Sequence, residues 1–453
     1  MSNEEKSMPD NDVREESPMN SAVRSFRGDV SRSILRVSTM TLFVWLVSGP
    51  ATARADDVVL RWNEIAARTA NATNPFNQAR IGAIVQLAVF EAVNAVTGKY
   101  EPYLDPATVA PAGTSVEAGV ITAAHEVLTT YFPDPAVVAM LDAARDSDLA
   151  AIPDGPAKTA GIAVGMEAAN AMIALRAADG SSPLISTTPT PTMAGDYQLT
   201  TGCAASLFFT WQNVTPFGIA DASDFLLKPP PELTSNRYWK DYVEVKTVGS
   251  ATSAHRPADR AEVARLYAAS SPSFVLSMAM RQIATAKGTS LSENARALAL
   301  IQMAINDALV ASFMNKYHYD HWRPETGIRN GATDGNYKTK GDPGFATFIP
   351  TPCFPSYPSN HASGTRGGLE AMRRLFGAAG HDITITNNVP PLGSLPATVI
   401  SKHYTKLKDI GDDVDDARVY GGIHWRYDQR FGGVLGRAVA TEVVKNNLRR
   451  VHH

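Results

Sequence analysis

Ser290-Leu-Ser-Glu293-Asn-Ala-Arg-Ala-Leu-Ala-Leu-Ile-Gln-Met-Ala-Ile-Asn-Asp-Ala-Leu-Val-Ala-Ser-Phe313-Met-Asn-Lys316, followed by Tyr-His-Tyr-Asp-His-Trp322-Arg323-Pro324, is the stretch from which the rest of the chain can be read. Ser290 and Glu293 have the S-x-x-E spacing of a capping box. More than twenty residues dominated by Ala and Leu follow, without Gly or Pro, until Pro324. That pattern predicts a long buried helix from Leu291 to Lys316. Lys316 and Arg323 are seven residues apart, so they share a face provided the helix continues to Pro324. Two cations on one face repel unless something anionic sits between them. The plainer alternative is a pair of solvated cations favoured by the helix macrodipole.

Working outward, the same spacing of apolar residues predicts helices over 57–70, 77–96, 116–131, 135–151, 156–178, 233–247, 258–268 and 272–286. Beyond Pro324 it predicts helices near 360–376, 396–407, 411–424 and 428–447. Strand signals are brief, as in Ile383 to Thr386. Two stretches break the pattern: 180–231, with its Thr-Pro repeat and Pro229-Pro230-Pro231, and the Pro/Gly/Asp-rich loop 324–357. The expected fold is all-α, with two helical bundles in one compact unit. Residues 56–285 make an N-terminal helical region and 286–453 a C-terminal bundle that carries the site.

Composition agrees with a globular chain: 44% hydrophobic, 19% charged, net charge −3. Nothing in it argues for a nucleic-acid partner, which calls for a strongly basic domain. Residues 1–55 read as a signal peptide with a long polar n-region. Arg24, Arg27, Arg32 and Arg36 lead to the apolar run Met40 to Val47, then to Ala53-Arg54-Ala55. Met19 is an alternative start. The run is too short for a comfortable span, and no later stretch approaches eighteen apolar residues. The mature protein is therefore expected to be exported, periplasmic or secreted, without a membrane span. Cys203 and Cys353 both lie in the exported part, and the sequence leaves a disulfide and two free thiols equally open.

Two further segments gather informative polar residues. Phe354-Pro-Ser356-Tyr-Pro-Ser359-Asn360-His361 opens a predicted helix, whose first N–H groups suit an anion, with His361 beside them as an acid–base group. A Ser at that place is also an ordinary cap. In Ala417-Arg418-Val-Tyr-Gly421-Gly422-Ile-His424-Trp-Arg-Tyr-Asp428, Asp428 follows His424 by four residues and can hold its imidazole in one tautomer. HExxH and CxxC patterns, which would argue for zinc, are absent from the sequence.

In order, the three segments read K-x6-R-P, P-S-x-H and R-x3-G-x-H-x3-D. This resembles the vanadium haloperoxidase and type-2 phosphatidic acid phosphatase superfamily, and most of all its chloroperoxidase branch, over roughly 305–435. The resemblance implies an orthovanadate cofactor, with His424 as the metal ligand. Lys316, Arg323, Ser359, Asn360, Arg418 and Gly422 match the oxyanion-binding positions. His361, His424 and Asp428 match the catalytic ones, while Phe354, Phe313 and Trp322 match the halide pocket.

Three departures stand out. Asn360 replaces the Gly whose amide contacts the oxyanion, Ala417 replaces a Ser, and Phe313 replaces a Trp. Asn tolerates unusual backbone angles, so the amide can still be presented, and restoring Gly at 360 should bind the anion as well or better. Phe313 points to bromide or iodide ahead of chloride. The implied activity is oxidation of halide by hydrogen peroxide to hypohalous acid, with a small organic acceptor as a further partner. The rivals are an acid phosphatase working through a phospho-histidine at His424, and a non-catalytic oxyanion-binding helical protein.

Overall fold

A computed structural model describes residues 57–451, so the signal-peptide reading lies outside the described residues. The centre of the fold is α9 (Leu291–Tyr319). Its capping box forms as expected: Ser290 Oγ accepts the Glu293 N–H at 3.4 Å, and the Glu293 carboxylate accepts the Ser290 N–H at 3.0 Å. α9 is apolar on nearly every side, and a helix of that kind must be enclosed. α2 (Pro75–Thr97) packs on one side of it, with α11 (Asn360–Phe376) and α13 (Arg426–Asn446) on the other. α2 and α9 are both long and apolar enough to cross a membrane, but each is mostly buried inside the fold.

The N-terminal helices α1 (Val58–Ala70), α3 (Val116–Tyr131) and α5 (Pro156–Arg176) gather around α2, and α4 (Pro135–Ala150) packs on α3. α6 (Asn236–Val248), α7 (Ala258–Ala268) and α8 (Pro272–Lys287) lead back to α9. One apolar core runs through both bundles, from Trp62 and Phe90 to Leu435 and Val443. α11 and α13 approach closely because glycine lies at their crossing. A Cβ on Gly436 would sit 2.1 Å from the Ser363 carbonyl oxygen, and one on Gly432 would sit 2.8 Å from that of Ser359. The crossing therefore holds the start of α11 against α13.

The irregular connection 180–231 is ordered by polar groups that α9 buries. Asp307 accepts the N–H groups of Phe217, Gly218 and Ile219 at 2.7, 2.6 and 3.2 Å. Two turns on, Asn315 accepts the Leu227 N–H at 2.8 Å and donates to the Phe225 carbonyl at 3.1 Å. A loop crossing a core helix must have its backbone groups satisfied, and these side chains satisfy them.

The helix expected over 396–407 is instead a strand. β1 (Ala379–Val389) and β2 (Thr398–Lys406) form an antiparallel hairpin that pairs Ile383 with Tyr404 and Ile385 with Lys402. Ile383, Ile385, Val389, Ile400 and Tyr404 turn inward at period two. Val399 and Ile400 are β-branched, which favours a pleated surface over a helix. α12 (Leu407–Tyr420) begins only after the hairpin, earlier than the expected 411.

Cys203 and Cys353 are bonded, joining the irregular connection to the loop that leads into Phe354. The two are 150 residues apart, so the link removes much unfolded-chain freedom. Replacing both by Ser should cost about 2–5 kcal/mol, a typical loss for a native disulfide. Thermal unfolding of the double variant tests this, and an unchanged Tm would count against a structural role.

Candidate oxyanion site

The site forms where the end of α9, the loop 354–359 and the α12–α13 turn converge. α9 does not continue to Pro324. It stops at Tyr319, and Asp320 takes a left-handed conformation (φ 43°), its N–H donating to the Lys316 carbonyl at 2.9 Å. Arg323 is extended (φ −79°, ψ 157°), as a residue before proline tends to be, and caps α10 (Pro324–Arg329). Lys316 and Arg323 thus meet through a chain reversal, not along one helical face.

Lys316 is fully buried, and its Nζ donates to the carbonyl oxygens of Pro355, Ser356 and Pro358 at 2.9, 2.8 and 2.5 Å. All three ammonium protons are engaged by the loop. Burial and the neighbouring Arg323 hold its pKa well below the usual lysine value. Arg323 Nε donates to the Phe354 carbonyl at 2.8 Å and Nη1 to that of Ile423 at 3.0 Å. Nη1 also lies 2.9 Å from His424 Nε2, while Nη2 is buried without a partner among the described residues.

That geometry decides the His424 tautomer. A guanidinium only donates, so Nε2 must accept. The ring proton is then on Nδ1, which donates to Asp428 Oδ2 at 2.8 Å. The same oxygen accepts Ser356 Oγ at 2.5 Å and the Trp425 N–H at 3.1 Å. Asp428 is fully buried, and burial pushes its pKa up to about 7 against the pull of these donors and the nearby cations. Nε2 therefore presents a lone pair toward the arginines, held in place by the carboxylate behind it.

Arg418 reaches the site from α12, with Nη1 3.4 Å from the Tyr267 carbonyl and Nε buried without a partner among the described residues. Burial, then Arg323, lowers its pKa to about 9, and burial lowers that of Arg323 to about 10. His361 is half-buried at the start of α11. Burial and Arg418 push its pKa well below the ordinary value, opposed by the carbonyls of Ser270 and Tyr267. His424 is lowered as well, by burial and then by Arg323 and Lys316. Ser359 caps α11 through the Ala362 N–H at 3.4 Å.

Of the three cations, Arg418 lines a cavity of about 380 Å³. Its polar end is made by Asn360, His361, Arg418 and His424, and its walls by Phe76, Phe208, Leu309, Ile349 and Phe354 among others. A wider open groove of about 730 Å³ passes Asp57, Glu64 and Arg281, but it mixes charges of both signs and no histidine lines it. Phe313 stands behind the cavity wall, 5.3 Å from the Phe354 ring and 4.7 Å from Phe76. Trp322 belongs to a different cluster, stacked on Tyr238 at 6.4 Å beside Trp425.

Gly422 serves its turn. It has φ 82°, its N–H donates to the Val419 carbonyl at 2.9 Å, and a Cβ would lie 2.3 Å from the Gly249 oxygen. Asn360 has no positive φ and is the first residue of α11. The backbone reason for expecting glycine to serve better there is therefore removed. Sequence reasoning missed Ser356, Phe76, Phe208 and the Tyr267 and Ser270 carbonyls. Phe76 and Phe208 carried no signal, because their role depends on chain crossings far from the motifs.

The donor set suits a tetrahedral oxyanion such as vanadate. Lys316, Arg323 and Arg418 are buried beside Asp428, and unpaired donors remain on Arg323 Nη2, Arg418 Nε and Asn360 Nδ2. Buried donors without partners are uncommon in folded proteins, and an oxyanion would satisfy them and offset the charge.

The profile of the VCPO second helical-bundle domain matches residues 296–453, which include α11, α12, α13 and most of α9. The C-terminal bundle thus matches the model of that second helical-bundle domain. A vanadium chloroperoxidase from Curvularia inaequalis is 27% identical over 173 aligned positions, covering 30% of this chain and 28% of that relative. The match thus spans little more than a quarter of the curated relative's length. The fold likeness to vanadium haloperoxidases reaches further. The first bacterial vanadium-dependent iodoperoxidase to be solved superposes with a TM-score of 0.70 at 21% identity, over 88% of this chain and 97% of that one. A bacterial vanadium-dependent chloroperoxidase in its apo form gives 0.65 at 18% identity, over 83% and 96%.

The depressed His361 makes a pH prediction. An anion bound beside it would cancel the repulsion from Arg418 and raise its pKa, so the complex holds more protons than the free protein at pH values between the depressed and the raised pKa. Sulfate, whose charge is constant over that range, should bind more tightly as pH falls, by up to about tenfold per pH unit for one proton taken up. Calorimetry in buffers of different ionisation enthalpy measures that uptake. Equal affinity at pH 5.5 and 7.5 would exclude it.

Proposed function

We propose that the protein is an exported vanadium-dependent haloperoxidase that uses hydrogen peroxide to oxidise bromide or iodide to hypohalous acid. The observation that carries the reading is the joining of an oxyanion-suited donor set to an aromatic wall in one cavity. Bound vanadate would supply a Lewis acid that polarises peroxide. His424 would hold the metal through Nε2, with Asp428 and Ser356 fixing the ring. Arg323 and Arg418 would stabilise charge on the oxyanion oxygens. Lys316 would contribute its charge while anchoring the loop. His361, kept neutral by its surroundings, is suited to take a proton from incoming peroxide.

Phe76, Phe208, Phe313 and Phe354 pack mostly edge-to-face, with centroids 4.7–6.4 Å apart. Arg323 and Lys316 lie 5.0 and 5.3 Å from the centre of the Phe354 ring. Such a wall, backed by cations, favours a large, weakly hydrated halide over chloride. Export is supported by Ala53-Arg54-Ala55 and by the Cys203–Cys353 bond, which suits an oxidising compartment.

The phosphatase reading keeps one observation in its favour. The same Nε2 lone pair could attack a phosphate, and a cavity of about 380 Å³ admits a small ester. Halogenation assays with each halide, run with and without vanadate beside an aryl phosphate assay, separate the two. Vanadate-dependent oxidation should rank iodide and bromide above chloride, with slow phosphate hydrolysis inhibited by vanadate. Brisk ester hydrolysis with background halogenation would establish the phosphatase instead. His424→Ala should reduce either activity to background, and turnover that survives it would remove this pocket from the chemistry.

A further inference from the structure

Asn360 is 4% exposed and stands at the first position of α11, at the polar end of the cavity. Its side chain is held from behind. Ser312, fully buried on α9, donates its hydroxyl to Asn360 Oδ1 at 2.6 Å. The acceptor end of the amide is thereby engaged, and Nδ2, with two N–H donors, is buried with no partner among the described residues. Helical backbone at 360 explains why Asn is tolerated but not why its amide is left half-satisfied in a cavity bordered by Arg418, His361 and His424. A buried donor of this kind is normally paired.

We propose that the Asn360 side chain is itself a binding residue for the tetrahedral oxyanion, donating from Nδ2, and that Ser312 is the positioning residue that aims it. The inference rests on the pocket being an oxyanion site. The opposite amide orientation would turn Oδ1 toward the anion and repel it, so a bound oxyanion reinforces the arrangement in which Ser312 donates to Oδ1. The side chain adds a donor from α11 to those of Arg323 and Arg418.

Calorimetric titration of the full chain with vanadate, and separately with phosphate, tests the proposal. Asn360→Gly and Asn360→Ala should each weaken both oxyanions by roughly tenfold or more, the scale of one hydrogen bond to a charged group. Asn360→Asp should abolish measurable binding, because its carboxylate faces the anion. Ser312→Ala should weaken binding severalfold in the parent protein and have no further effect in the Asn360→Gly background. A merely structural Ser312 would show its effect in both.

If the parent chain binds both oxyanions and Asn360→Gly binds them equally well or better, this inference fails and the pocket reading stands. If the parent binds neither, the pocket reading fails and takes the inference with it. A crystal structure of the parent with phosphate gives a check that needs no variant. Nδ2 should lie within about 3.2 Å of a phosphate oxygen, and an amide turned away would overturn the proposal.

Discussion

The arrangement depends first on one buried ammonium group. Lys316 gives its three protons to the carbonyls of Pro355, Ser356 and Pro358 and thereby fixes the loop that precedes α11. With that loop fixed, Ser356 meets Asp428, the Phe354 carbonyl meets Arg323, and Ser359 caps the helix. The first two contacts join residues far apart in sequence, and the third starts the helix that carries Asn360 and His361. A guanidinium could not replace the ammonium here, because its planar fork does not direct three donors to three converging carbonyls.

Having built the pocket, the protein accepts an electrostatic cost. Lys316, Arg323 and Arg418 are enclosed together, and burial opposes the charged form of each. Asp428 is the carboxylate that faces them, and it too is pushed toward its neutral form. This imbalance favours an anion in the pocket, because its charge would relieve repulsion already built into the fold. The histidines respond in the same sense. His361 and His424 remain neutral in these surroundings, which leaves one free to take a proton and the other to offer a lone pair.

Much of this was legible in the sequence, for identifiable reasons. The capping box and the Ala/Leu run announced α9, because helix start signals and apolar periodicity act locally. His424 and Asp428 could be paired because they are four residues apart, His424 just before α13 and Asp428 in its first turn. Arg323 reached its expected neighbourhood by a different route, since the left-handed Asp320 and the proline after Arg323 end one helix and begin another. β1 gave a brief strand signal at Ile383 to Thr386, but β2 was misread as a helix because its pairing with β1 stabilises it. Asn360 was noticed as a departure, but its orientation depends on Ser312, 48 residues earlier. Phe76 and Phe208 gave no warning at all.

Those two aromatics have a consequence for how such a protein can diverge. The charged end of the cavity is drawn almost entirely from three short segments of the C-terminal bundle. Much of the apolar wall comes from elsewhere, with Phe76 at the start of α2 and Phe208 in the irregular connection that α9 and the disulfide hold in place. Changes in α2 or in that connection can therefore reshape what approaches the anion without disturbing what grips it. Reactivity and selectivity are encoded in separate stretches of the chain and are free to drift at different rates.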